Sequence, residues 1–233
     1  MISIEDVSFS YHKKKILRSV SLEIGQGDCI GFLGANGCGK STFLSLIAGV
    51  RKPKSGSILY DGKPLNSKLA SSGVLGYVPQ DNPLIPDLSI KDNLKLWYRG
   101  TAGQFQQELS EGFLHLLGIS DFLHMPAAKL SGGMKKRVSI GMALQNHPGI
   151  LILDEPSAAL DLPCKADIRS YLSVYLKNGG TVLITTHEET ELVLCSRLYL
   201  LYDGQLHQTD TTLRGEQLLA LIQQTTNQME GKP

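Results

Sequence analysis

The fold turns on Gly34-Ala35-Asn36-Gly37-Cys38-Gly39-Lys40-Ser41-Thr42, which has the spacing G-x-x-x-x-G-K-[ST] of a phosphate-binding loop. Its flanks are the ones such a loop needs. Asp28 to Leu33 is an apolar run read as a strand, and a helix is expected from Lys40 to about Ala48. Glycines let the backbone turn its N–H groups inward around phosphate oxygens, and the helix start adds the positive end of its dipole. Lys40 is expected to neutralise the β- and γ-phosphates and Ser41 to ligate Mg²⁺. Gly37-Cys38-Gly39 is followed by Lys, Ser and Thr where a dinucleotide fold would have a third glycine. The loop predicts a nucleoside triphosphate as ligand, but many families share it.

Downstream, Ile150-Leu151-Ile152-Leu153 is a continuous apolar run, suited to a strand buried on both faces, and it ends in Asp154-Glu155-Pro156. Two carboxylates leaving the carboxyl end of such a strand sit where open parallel sheets bind ligands. Asp154 is expected to support the Mg²⁺ shell and Glu155 to polarise the water that attacks the γ-phosphate. Thr181 to Thr185 is a further buried-strand candidate that delivers His187 to the same edge, as a γ-phosphate contact and orienter of that water.

The rest of the chain supports an α/β fold with a mostly parallel core sheet covered on both faces. The first third is β-rich: Ile2 to Tyr11 and Arg18 to Ile24 alternate, and Gly56 to Tyr60 and Val74 to Val78 follow as strands. From about Asp81 to Asn146 the periodicity becomes helical, around Ser89–Tyr98, Gln104–Leu117 and Gly132–Gln145. Strands then return at Gly149–Leu153, Thr181–Thr185 and Arg197–Tyr202, with helices around Pro163–Lys177 and Glu188–Leu194. A last amphipathic helix, Leu213 to Gln224, precedes a polar end expected to fray. The expected organisation is a single domain: residues 1–80 and 147–210 as nucleotide-binding core, about 81–146 as an inserted helical subdomain, and 211–233 as C-terminal helix and tail.

Composition narrows the function. The 233 residues are 42% apolar and 19% charged, ordinary for a globular protein with a real core. Lys plus Arg (23) nearly balances Asp plus Glu (22), so no cationic face argues for nucleic acid as partner. Lys13-Lys14-Lys15 and Lys135-Lys136-Arg137 are read as solvated hairpin and helix faces. Cys29, Cys38, Cys164 and Cys195 form no CxxC pair and are read as free thiols in a reducing compartment. No apolar run is long enough to cross a bilayer and the N-terminus does not read as a signal peptide, which places the chain in the cytosol or on the cytosolic side of a membrane.

Leu130-Ser131-Gly132-Gly133, lying between the phosphate loop and Asp154, resembles the signature motif of ABC (ATP-binding cassette) ATPases. The resemblance runs in order over nearly the whole chain: Tyr11, the phosphate loop, Gln80 in Tyr77-Val78-Pro79-Gln80, the signature, the acidic strand, Ala159-Leu160-Asp161, then His187. It implies the ABC ATPase fold, with an N-terminal antiparallel β region and the helical subdomain carrying the signature. It implies ATP and Mg²⁺ as ligands, Tyr11 stacked on adenine, and the loop from Gly34 to Thr42 around the phosphates. Gln80 would touch Mg²⁺ or the attacking water, and Ser131, Gly132 and Gly133 would face ATP held by a second subunit. Asp161 would lie at that dimer interface. The implied partners are a second cassette, as a homodimer, and an integral membrane permease docked in the groove around Gln80 and Asp81–Trp97, on the cytosolic face of the membrane. Trp97 itself is read as core of the helical subdomain. Met134 stands where the family usually has Gln; with the basic run after it, this is similar to branches that look like drug and antibiotic exporters, although Met134 could equally pack against a neighbouring helix. A single-cassette ATPase driving assembly of a soluble complex remains the alternative.

Overall fold

A computed structural model describes residues 1–66, 72–158 and 160–230. The strands are β1 (Ile2–Tyr11), β2 (Lys14–Ile24), β3 (Cys29–Leu33), β4 (Ser55–Tyr60), β5 (Lys63–Pro64), β6 (Leu75–Val78), β7 (Ile150–Asp154), β8 (Thr181–Thr185), β9 (Arg197–Tyr202) and β10 (Gln205–Thr209). The helices are α1 (Lys40–Ile47), α2 (Ile90–Trp97), α3 (Ala102–Ser110), α4 (Phe113–Leu116), α5 (Gly132–Leu144), α6 (Leu162–Lys177), α7 (Glu189–Leu192) and α8 (Gly215–Glu230). An antiparallel sheet runs β2-β1-β4-β5, and a six-stranded sheet runs β10-β9-β3-β8-β7-β6. In the second sheet only the β9–β10 pair is antiparallel.

The apolar runs are long because the parallel strands are buried on both faces. Ile30, Phe32, Ile152, Leu183 and Leu201 turn to one core, shared with α1 and the antiparallel sheet. Their neighbours Leu33, Leu151, Leu153, Val182 and Ile184 turn to the other, shared with α6 and the helical segment. Alternation of period two therefore persists inside runs with no polar member.

Three expectations change. The stretch Gln104–Leu117 is two helices: Thr101 and Gln104 form a reciprocal capping box that starts the first at Ala102, and the chain breaks at Glu111-Gly112. There Glu108 accepts from the Phe113 N–H at 3.0 Å, supplying the partner that the broken helix lacks. Trp97 is 59% exposed. It ends α2, and the next residue, Tyr98, takes the inward place against Phe105 at 5.0 Å between ring centroids. Finally, β10 was not expected; the Asp203-Gly204 turn, both residues at positive φ, folds a polar edge strand back on β9. The expected frayed end at 231–233 lies outside the described residues.

The helical segment meets the sheet at Gly76. A Cβ there would lie 2.6 Å from the Ala143 carbonyl oxygen and 2.9 Å from the Pro148 ring. A backbone oxygen cannot swing aside, so Gly76→Ala should cost about 1–3 kcal/mol through overpacking. Urea denaturation should show this as a lower midpoint at unchanged slope, and an unshifted midpoint would contradict the packing described.

Candidate active site

The phosphate loop leaves β3 through Gly34 and enters α1 at Gly39, whose φ of 117° lies in the left-handed region. A Cβ on Gly34 would lie 2.7 Å from the Leu201 carbonyl oxygen, and one on Gly39 would lie 2.6 Å from Ile16. No side-chain hydrogen bond caps α1, which leaves its N-terminal N–H groups for another acceptor, as an anion site requires. Lys40 is buried, and its ammonium donates to the Gly34 and Ala35 carbonyls at 2.8 and 3.2 Å. Asn36, Gly37 and Ser41 are exposed, Ala35 and Thr42 half-buried, and Cys38 is buried with its thiol pushed up by desolvation. Tyr11 stands over the start of α1, its hydroxyl 3.3 Å from Thr42 Oγ1 and its ring under Arg51 at 5.2 Å.

The second part of the site hangs from β7 and β8, whose parallel register sets Asp154 opposite Thr185. Asp154 is 2% exposed, and its Oδ1 accepts from Thr185 Oγ1 at 2.6 Å. The same hydroxyl accepts from the Glu155 N–H at 3.0 Å. Glu155 has φ of 48°, an uncommon left-handed conformation for such a residue. Gln80 Nε2 donates to Glu155 Oε2 at 3.2 Å. His187 Nε2 lies 4.0 Å from Glu155 Oε1, near enough for charge coupling but beyond a hydrogen bond. Burial, then the Lys40 charge, hold the His187 imidazolium below its usual range, against a smaller opposing pull from Glu155. The neutral form of the ring is thereby favoured. Among the described residues no cluster of three or more His, Cys, Asp or Glu forms a dedicated metal cage. One buried carboxylate, an exposed Ser41 hydroxyl and a carboxamide suit Mg²⁺, which takes few protein ligands beside phosphate oxygens and water.

The signature residues stand elsewhere. Ser131 caps α5, its Oγ accepting from the Met134 N–H at 3.2 Å, and Ser131 and Gly132 are exposed. Ser131, Gly133 and Met134 line a surface cavity of about 180 Å³ together with Arg137, Leu160, Asp161 and Cys164. Asp161 caps α6 through the Cys164 N–H at 2.9 Å. Ala159 of the Ala159-Leu160-Asp161 stretch lies outside the described residues.

The family model described as ABC transporter matches residues 17–158, which takes in the phosphate loop, Gln80, the signature and the acidic strand end. The chain belongs to the ABC transporter family. It is one of that family's ATPase cassettes. It is 35% identical over 210 residues to the Nod factor export ATP-binding protein I of Rhizobium etli, covering 88% of this chain and 66% of that one. It is 34% identical over 212 residues to the linearmycin resistance ATP-binding protein LnrL of Bacillus subtilis, covering 88% and 68%. The chain thus spans about two thirds of the length of these relatives. Among solved structures, a dimeric post-hydrolysis ATP-binding cassette bound to ADP and Pi superposes with a TM-score of 0.80 at 28% identity, over 92% of this chain and all of that one.

In this cassette Gln80, Glu155 and His187 meet at one edge beside Asp154, and Tyr11 sits on the phosphate-loop helix. The signature and Asp161 share a second surface. Three contributors escaped the sequence reading. Thr185 looked like one more β-branched strand residue. Glu191 is buried and accepts from Ser157 and Thr186, pinning the turns after both strands; burial pushes its carboxyl up despite those donors. Lys136, read as part of a solvated face, is 4% exposed. Its helical position places it on the sheet side of α5, so the spread of the basic run around the helix, not its charge, decides burial. The four cysteines are free thiols, as expected, with Cys29 Sγ 3.8 Å from Cys195 Sγ.

Two outcomes follow from Lys40. Lys40→Ala should weaken ATP binding by roughly 10- to 100-fold in titration calorimetry, the value of a charge-assisted hydrogen bond to phosphate; undiminished affinity would remove Lys40 from the site. The same variant deletes the second cause of the depressed His187 pKa. Its midpoint, followed by NMR of the imidazole protons, should therefore rise towards 6.5. A midpoint that stays put or falls would mean that the Lys40 charge does not reach the ring.

Proposed function

We propose that the chain hydrolyses Mg-ATP as one half of a head-to-tail homodimer and so powers export through a separate membrane permease. The observation that carries this reading is the division of the site into two surfaces. Lys40, Gln80, Asp154, Glu155 and His187 gather around one triphosphate position, while Ser131, Gly133 and Asp161 line a separate open cavity that offers backbone N–H groups and a helix start outward. One chain can thus grip ATP on its first surface and cap a partner's ATP with its second.

Within the proposed site, Tyr11 presents a π face to adenine, and residues 34–42 wrap the phosphates. Glu155 accepts a proton from the attacking water as the water oxygen bonds to the γ-phosphorus and the bond from that phosphorus to the β–γ bridging oxygen breaks, releasing ADP and phosphate, with Gln80 fixing one carboxylate oxygen. Neutral His187 offers an N–H to the γ-phosphate or water. Mg²⁺, when bound, would be held by Ser41, Asp154 and Gln80 and would neutralise charge on the β- and γ-oxygens.

Residues 81–146 form the arm that meets the permease. Asn93 organises its entry loop, accepting from the Ile85 N–H and donating to the Ile85, Leu88 and Ser89 carbonyls. Ile85, Leu96 and Trp97 leave large apolar side chains exposed there, which supports a docking surface. Among the described residues no helix is long and apolar enough to cross a membrane. Placement on the cytosolic face of the membrane therefore rests on the permease. The export direction rests on the named roles of the two relatives and on Met134 with the basic residues after it.

Glu155→Gln should abolish steady hydrolysis yet keep ATP bound, trapping a species of about twice 25.4 kDa by light scattering in Mg-ATP. A purely monomeric variant at saturating ATP would exclude the homodimer. Tagged Glu155→Gln chain extracted in mild detergent should recover an integral membrane protein in equal amount, and Trp97→Glu should reduce that recovery severalfold. Recovery of soluble partners alone would indicate an assembly ATPase instead.

A further inference from the structure

Lys136 is the one member of the basic run that is fully withdrawn from water. A buried ammonium persists only where its donors are used, and this one donates to the Pro79 carbonyl at 3.2 Å and the Gln80 carbonyl at 2.9 Å. Desolvation pulls its pKa down; the carboxylates of Asp154, Asp81 and Glu155 oppose that pull. Lys136 thus stands behind the acidic strand end with its charge directed at the backbone of the Gln80 loop. The Gln80 side chain continues the path to Glu155. In the other direction, Lys136 lies on the same helix that Ser131 caps, about 1.4 turns along it. Its neighbour Arg137 ties a different flank of α5 to α6, with Nε donating to Cys164 Sγ at 3.0 Å and Nη2 lying 3.9 Å from Asp161. Packing alone would not need an ammonium here, since Met fills a similar volume.

We propose that Lys136 is a positioning residue that locks the main chain of the Gln80 loop to the signature helix. Movement of Gln80 with Glu155 at one ATP then moves Ser131, Gly132 and Gly133 at the ATP of the partner subunit. Lys136 touches neither nucleotide; it acts through Gln80. The inference rests on the ATPase reading of the site, and Glu155→Gln serves as the control for that reading. If Glu155→Gln still hydrolyses ATP at the wild-type rate, the site assignment fails whatever Lys136 does.

The test compares Lys136→Met and Lys136→Arg in the full chain. Lys136→Met should lower kcat about tenfold while calorimetric ATP affinity stays within twofold, because the phosphate loop is untouched. Lys136→Arg retains charged donors and should keep kcat within about threefold of wild type. In a double-mutant cycle with Gln80→Ala, Lys136→Met should add little further loss, since its effect passes through Gln80. Lys136→Gln, with a single neutral donor, replaces the Met variant if that fails to fold, and an intermediate kcat is then expected. The proposal is overturned if kcat of the Met variant stays within twofold of wild type, or if Arg is as damaging as Met. It is likewise overturned if affinity falls as far as kcat, or if the losses in the cycle are additive. Failure of both the Met and Gln variants to fold would overturn it too, by making Lys136 a requirement of the core.

Discussion

Parallel pairing of β3, β8 and β7 is the constraint on which the site depends. Phe32 and Asp154 both lie opposite Thr185, so three strands end at one level and release three loops side by side. Because both faces of the sheet are covered, polar groups can reach solvent only at that edge. The phosphate loop, the Asp154-Glu155 turn and the Thr186-His187 turn are neighbours for this reason. The hydroxyl of Thr185 joins two of them, donating to the Asp154 carboxylate and accepting from the Glu155 N–H.

The two lysines buried among the described residues share one physical logic. Lys40 and Lys136 each lose hydration and each hold two consecutive main-chain carbonyls, Gly34 with Ala35 in one case and Pro79 with Gln80 in the other. Each thereby fixes the shape of a loop on one side of the proposed nucleotide site. In the proposed site Lys40 would exchange its carbonyls for phosphate oxygens on ATP binding, which makes its contribution to affinity a difference between two sets of hydrogen bonds. Lys136 has no such exchange to make.

What could be read in the sequence was what rests on local rules. The phosphate loop, the apolar runs of β3, β7, β8 and β9, and the carboxylates at the end of β7 follow from spacing and from two-sided burial. Most helix ends fell within a residue or two, because caps such as Ser89, Ser131 and Asp161 are local. What stayed hidden depends on distant partners. Lys136 is buried because the Gln80 loop, 56 residues away in sequence, folds over α5 and supplies carbonyl partners for its ammonium. Trp97 is displaced from the core by Tyr98, a choice that rests on where α2 stops. β10 is a polar edge strand whose ladder partner is β9, and it carries no alternating signal.

Glu155 occupies a left-handed backbone position, where a non-glycine residue costs about 1–2 kcal/mol and a β-branched one more. The turn therefore filters which sequences can drift there. A lineage that lost the carboxylate proposed here as catalytic could accept Gln, Asp, Asn or Gly without unfolding the β7–β8 edge, whereas Val, Ile or Thr would have to be compensated elsewhere. Cassettes that retire from hydrolysis should thus keep a small menu of residues at this position, dictated by backbone geometry after the chemistry has gone.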